Sequence, residues 1–157
     1  MAHRARLKPA GTTCKYLRYE YYSNGKKNKL ILPLVQIRIK TEADTVSTTA
    51  LVDSGANVTL IPQELAEILE VKYEMEKGKP VVIQTTGAGG EFASFETRLK
   101  SLSLLKGGKA FWSTFGVPVL VPDKPNSIPY AILGRDLVFG KFDITFFERS
   151  QKFTFSP

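Results

Sequence analysis

The chain has 157 residues, 43% of them hydrophobic, a net charge of +7, one histidine and one cysteine. That length supports one domain with a real core, and the composition excludes a disordered chain. No apolar run reaches the length of a membrane span, the lone Cys14 excludes an internal disulfide, and the lone His3 argues against a histidine triad or a histidine-rich metal centre.

What remains is carboxylate chemistry, with no cofactor, no metal and no membrane partner expected. The basic N-terminus is not followed by an apolar stretch, so no secretory signal is read and a reducing, cytoplasmic location is the expectation. The charge is uneven. Residues 1–29 hold eight Lys/Arg against Glu20 alone, and the rest of the chain holds fourteen of each sign. A basic leader and hairpin arm over residues 1–29 and a neutral domain over 30–157 are therefore expected.

Residues 1–12 are small, polar and basic. Lys15 to Tyr22 carries Tyr16, Leu17, Tyr19, Tyr21 and Tyr22, a strand-prone set. Ser23-Asn24-Gly25 suits a hairpin turn, with Leu30 to Lys40 as the returning strand. Bases interleaved with aromatics would suit nucleic acid, contacted through residues 1–29. A solvated tail plus an added hairpin is the preferred reading, because charge clusters are common on plain surfaces. Val35, Ile37 and Ile39 alternate with Gln36, Arg38 and Lys40, which predicts a half-buried strand. Thr41 to Asp44 turns the chain into a strand over Val46 to Val52.

That strand delivers Asp53-Ser54-Gly55-Ala56-Asn57, and a second apolar run, Val58 to Ile61, follows at once. All three of Asp53, Ser54 and Gly55 favour turns, but a surface turn would not be bracketed so tightly by Leu51-Val52 and Leu60-Ile61. A carboxylate held against a core is costly unless it is hydrogen-bonded or chemically employed. Gly55 lets backbone approach closely, and the Ser54 hydroxyl can lock the turn. Pro62 suits the first position of a helix, with Leu65, Ile68 and Leu69 on its packed face.

Tyr73 to Lys79 reads as charged and exposed. Val81 opens a strand that runs into Thr86-Gly87-Ala88-Gly89-Gly90-Glu91, a glycine-rich hairpin tip. A phosphate cradle is the weaker reading here, since no Lys-Ser/Thr follows and no helix opens. Further strands are expected over Glu96 to Leu105 and Lys109 to Val121, with Trp112 packing in a core or groove. Four prolines stiffen the approach to Ile132, and Arg135 to Phe139 suits a short helix ending at Gly140. Phe142 to Phe147 and Lys152 to Phe155 read as closing strands.

Two stretches together resemble the signatures of the retropepsin-like aspartic proteases. Asp53-Ser54-Gly55-Ala56 resembles the first, and Ala131-Ile132-Leu133-Gly134-Arg135-Asp136 the second, in the same order and about eighty residues apart. The resemblance spans residues 30–148. It implies a mainly β, single-lobe closed fold, with one short helix after the Asp-Ser-Gly strand and another near the C-terminus. It implies endopeptidase activity with Asp53 catalytic, Ser54, Gly55 and Ala56 forming the active-site turn, and Asn57 among the peptide-binding residues. Gly87, Ala88, Gly89 and Gly90 become a flap over bound peptide, while Gly134 and Arg135 brace the site.

Carboxylate hydrolysis needs two acids sharing one proton. The chain has one such turn, and Asp44, Asp123, Asp136 and Asp143 lack its setting. A two-fold homodimer in which Asp53 meets its mate is the economical solution, with closing-strand aromatics as dimer contacts. Where retroviral members place a second acid, this chain has Asn57, which favours a cellular or bacterial relative as much as a viral one. Its amide could still accept from Arg135. A non-catalytic dimerisation or peptide-binding module on the same fold is the alternative.

Overall fold

A computed structural model describes residues 11–87, 90–125 and 127–157, and the structural statements below concern those residues. Residues 1–10 of the basic leader, and Ala88 and Gly89 of the expected flap, lie outside them. In chain order the strands are β1 (Thr12–Lys15), β2 (Leu17–Ser23), β3 (Lys26–Leu32), β4 (Leu34–Lys40) and β5 (Thr45–Val52). The helix α1 (Gln63–Ile68) follows, then the two-residue strands β6 (Met75–Glu76) and β7 (Lys79–Pro80), then β8 (Val82–Gly87), β9 (Gly90–Lys106) and β10 (Lys109–Pro122). β11 (Ala131–Leu133), β12 (Asp143–Phe147), a 3-10 turn at Glu148–Ser150 and β13 (Lys152–Ser156) complete the chain. The fold is mainly β, as expected, with one short α-helix among the described residues where two were expected.

A six-stranded sheet runs β10-β9-β4-β5-β11, with β8 added to the far part of β9. β4 shows why it sits in the middle. Val35, Ile37 and Ile39 are fully buried while Gln36, Arg38 and Lys40 are exposed, so the period of two in the sequence puts one face on the core. β9 serves two purposes along its seventeen residues. Its first part forms a hairpin with β8, and its second part pairs with β4 and β10.

The second sheet has the order β1-β13-β12. Phe153 and Phe155 on β13 are buried, and Phe155 meets Phe111, Phe142 and Phe153 at ring distances of 5.4 Å. Trp112 stands edge-on to Phe142 at 5.6 Å. The expectation that closing-strand aromatics face a second subunit is corrected for these two: Phe153 and Phe155 fill the chain's own core, and Phe147 is the one left substantially exposed.

Further readings are corrected. The strand returning from the Ser23-Asn24-Gly25 turn is β3, not Leu30 to Lys40. Pro33 separates β3 from β4, and β4 pairs with β5 and β9 instead. Residues 12–15, read as part of a leader, belong to the closing sheet, and Tyr16 lies in the core. Residues 135–141 form successive turns, with no helix. Their bonds close over single turns (Leu137 N–H to the Gly134 carbonyl, Phe142 N–H to the Val138 carbonyl), and so few residues cannot sustain a helical nucleus. Pro62 sits one place earlier than expected, at the cap before Gln63. Leu65 and Leu69 pack on the core as expected, joined by Ala66 and the capping Pro62, whereas Ile68 is 60% exposed.

Candidate active site

β5 carries the chain out of the core at Val52, whose N–H donates to the Pro33 carbonyl at 3.0 Å. β11 lies parallel to β5 with Leu133 opposite Val52, and the Asp53 N–H donates to the Leu133 carbonyl at 3.2 Å. Asp53 is thus fixed at the end of two buried strands. The turn then closes on itself. The Gly55 N–H donates to Asp53 Oδ1 at 2.8 Å, and the Ala56 N–H donates to the Asp53 carbonyl at 3.2 Å. The carboxylate is half-buried and keeps Oδ2 free of any partner among the described residues.

The chain re-enters the core through Thr59 to Pro62. Leu60 exchanges backbone hydrogen bonds with Ile132 at 2.9 Å each way and bridges to Leu120 on the other side. The two sequence signatures therefore meet in space. The Arg135 N–H donates to the Ala56 carbonyl at 2.8 Å and the Asp136 N–H to the Asn57 carbonyl at 3.2 Å. Gly134 is required by this approach, because a Cβ built there would collide with the Val58 backbone.

A polar clasp holds the crossing. Thr59 Oγ1 donates to Asp136 Oδ1 at 2.8 Å, the Thr59 N–H donates to Asp136 Oδ2 at 3.2 Å, and the Gly134 N–H donates to Thr59 Oγ1 at 3.2 Å. Thr59 is 1% exposed, so its bond from the Gly134 N–H is shielded from water, while the two bonds to the exposed Asp136 are partly buried. The sequence reading assigns Thr59 no role and places Asp136 only within the second signature and among the acids lacking the catalytic setting. The available signal was one polar residue inside the apolar run Val58 to Ile61.

The predicted residues among those described now have places. Asp53, Gly55 and Ala56 form the turn, and Ser54 is exposed with its hydroxyl unpartnered among the described residues. Asn57 is exposed and contributes its backbone carbonyl. Among the described residues the side-chain bond that the Asn57 amide could accept from Arg135 is not formed. Arg135 points to solvent, and its backbone N–H braces the turn instead. Gly87 and Gly90 face each other at the end of the β8–β9 hairpin, Gly90 with a φ of +103° that glycine adopts without strain.

Tyr130 was not foreseen. It precedes β11, and burial first, then the neighbouring Tyr19 and the Asp53 carboxylate, hold its hydroxyl above the ordinary tyrosine pKa. Behind it, a cleft of about 390 Å³ lies between α1 and residues 128–131, and none of the predicted site residues line it. Asp53 instead stands on an open turn. Among the described residues no group of three or more His, Cys, Asp or Glu is placed to hold a metal ion.

No curated protein matches the chain. Among solved structures, EIAV protease complexed with the inhibitor HBY-793 is similar at 24% identity, covering 76% of this chain and 92% of that one, with a TM-score of 0.44. A family model described as aspartyl protease matches residues 35–137, which takes in both the Asp53 turn and the Gly134-Arg135 crossing. The chain belongs to the aspartyl protease family.

Proposed function

We propose that the chain is an aspartic endopeptidase that works as a two-fold homodimer, with Asp53 of each copy forming the catalytic pair. The observation that carries this reading is the setting of Asp53: a half-buried carboxylate locked by Gly55 at one oxygen, on a turn braced by the second signature, with one such turn in the chain. A symmetric dimer brings two identical turns to one axis. Ser54 is exposed beside Asp53, where its hydroxyl can bond across that axis.

Two adjacent carboxylates share one proton, because both cannot ionise cheaply at that distance. The ionised Asp53 takes a proton from water, and the resulting hydroxide equivalent attacks the scissile carbonyl carbon. The protonated Asp53 hydrogen-bonds the carbonyl oxygen and stabilises the charge that develops there. The tetrahedral intermediate then collapses, the peptide C–N bond breaks, and the amine leaves with a proton delivered by the pair. The β8–β9 hairpin acts as the flap, closing over the peptide and excluding water.

Asp53→Asn is the direct test. It keeps the shape of the turn but removes the shared proton and the base. Peptide cleavage, expected to be best at mildly acidic pH, should be abolished while the circular dichroism spectrum and melting temperature are retained. Residual cleavage at wild-type rate would end the proposal. Peptide binding by the wild-type chain with no turnover at any pH from about 3 to 8 would leave a binding module in its place.

A further inference from the structure

Strand β1 is an edge of the closing sheet. It pairs with β13 on one side and, among the described residues, with no strand on the other. An open edge is a row of backbone donors and acceptors ready for another strand. A cleft of about 440 Å³ runs beside it, bordered by Thr13, Cys14 and Lys15. Consecutive strand residues point to opposite faces, so a cleft that meets three in a row lies along the edge itself. Leu34, Val35 and Gln36 of β4 border it in the same way. β9 pairs with β4 only from Gln36 onward and turns away after Lys106, so Leu34 and Val35 have β5 on one side and no strand on the other. The slot is thus bordered by two open strand edges, and the buried Leu34, Val35 and Leu105 give it an apolar wall.

The charges that border the slot have a defined face. Lys15 stands directly opposite Lys152, on the face that carries Thr13 and Thr154, whose hydroxyls meet at 2.8 Å. Lys152 rests its ammonium over the Phe147 ring at 5.5 Å, so Lys15 is the cation at the edge and Lys152 stands behind it. Cys14 faces the other way, opposite the buried Phe153. Lys106 also borders the slot and stands directly opposite Lys109. Burial raises the Cys14 thiol above its ordinary pKa and the Lys106 charge offsets part of that rise, which agrees with their sharing the slot. Like charges placed directly opposite are destabilising. Two such pairs meet here. No acid borders the slot, and among the described residues no carboxylate lies within ion-pair distance of Lys15, Lys106, Lys109 or Lys152.

We propose that this slot is a docking site for an extended acidic segment of a partner protein, which adds to β1 as a fourth strand. Side chains of the segment alternate, acids on the Lys15 face and small apolar groups on the Cys14 face. Edge lysines ordinarily keep other chains away. Opposed lysine pairs turn that exclusion into selection, because an acidic strand relieves their repulsion and a neutral or basic one does not. No residue of the Asp53 turn borders the slot, so the site stands apart from the proteolytic reading. Nucleic acid also seeks cations, but it cannot pair with a strand edge, and no aromatic side chain borders the slot for a base to stack on.

The probe is fluorescein-labelled Glu-Val-Glu-Val-Glu-Val-Glu, titrated by anisotropy into the full-length Asp53→Asn chain so that turnover does not intervene. It should bind about tenfold more tightly than Lys-Val-Lys-Val-Lys-Val-Lys, and than the block peptide Glu-Glu-Glu-Glu-Val-Val-Val, which has the same composition without the alternation. Lys15 and Lys106 are both exposed, and Lys15→Glu with Lys106→Glu should reverse the charge preference. Two further probes need no change in the protein. N-methylation of the valines in one peptide, and of the inner glutamates in another, should abolish binding in at least one of the two, because it removes the donors that face β1. Cys14 is the only cysteine of the chain, so its alkylation by iodoacetamide reports whether the slot is filled. Saturating peptide should slow that reaction about tenfold. An unchanged alkylation rate would put the peptide elsewhere and overturn the inference. So would absent binding, indifference to charge, to alternation or to the lysine reversals, full binding by both N-methylated peptides, or displacement by an equimolar thymidine oligonucleotide.

Discussion

At the scale of single residues, the Asp53 turn is braced by groups away from the carboxylate itself. Thr59 has its hydroxyl between the Gly134 N–H and the Asp136 carboxylate. Thr59→Val keeps the shape but leaves a buried N–H without its acceptor, a loss of about 1–3 kcal/mol. The urea midpoint should fall with the slope unchanged, and an unaltered midpoint would mean that the clasp carries no stability. Gly134 tests the same crossing from the other side. Gly134→Ala forces a methyl into the Val58 backbone and should cost about 1–3 kcal/mol along with most of the cleavage activity. Gly140→Ala meets nothing closer than 3.9 Å and should leave both melting temperature and activity near wild type. Equal effects of the two substitutions would refute the argument from close approach. The Asp53 turn was legible in the sequence because its apolar flanks are local. The clasp was not, because Thr59 and Asp136 find each other across 77 positions with no pattern linking them.

At the scale of elements, period-two alternation made β4 readable, and glycines and prolines marked most turns. Reading failed where neighbours decide the structure. β3 begins Lys-Lys-Asn-Lys, which looks like loop, yet it is a strand because the tyrosines of β2 pair with it. Pro33 was the available signal, since proline interrupts a ladder and so splits the long strand that was expected. The closing sheet shows the same dependence. β1 pairs with β13, and the chain between β1 and β2 is pinned by the Tyr16 N–H to the Gln151 carbonyl at 2.8 Å and by the Tyr16 hydroxyl to Glu148 Oε1 at 2.5 Å. Burial, then the Glu148 hydrogen bond and charge, push the Tyr16 phenol from 10.0 up to about 12. The folded state therefore keeps this proton to higher pH than the unfolded chain does. The stabilisation is complete below pH 10.0 and drains away as pH rises toward about 12. Tyr16→Phe should lower stability by about 1 kcal/mol at neutral pH. Its deficit against wild type should shrink across that alkaline window in pH-dependent urea titrations. A deficit that stays constant with pH would show that Glu148 does not hold the phenol.

At the scale of the whole molecule, one chain completes a core, and on the proposed reading it carries half of a reaction centre. Phe153 and Phe155 close the fold from within, so folding does not consume the surface around Asp53. What a single copy lacks is a second carboxylate, and an identical copy is the simplest source of it. Chain mixing tests this without any knowledge of the natural substrate. Wild-type and Asp53→Asn chains, co-refolded in equal amounts, should assort at random and give about one quarter of dimers with two aspartates. Activity per total protein should then fall to about one quarter of the undiluted wild type, and further Asp53→Asn should lower it with the square of the wild-type fraction. Simple dilution of the wild type should likewise lower its specific activity, because the dimer dissociates by mass action. Activity that halves in the equal mixture, tracking the wild-type fraction linearly, would mean that each chain acts alone and that Asp53 finds its catalytic partner somewhere other than its twin.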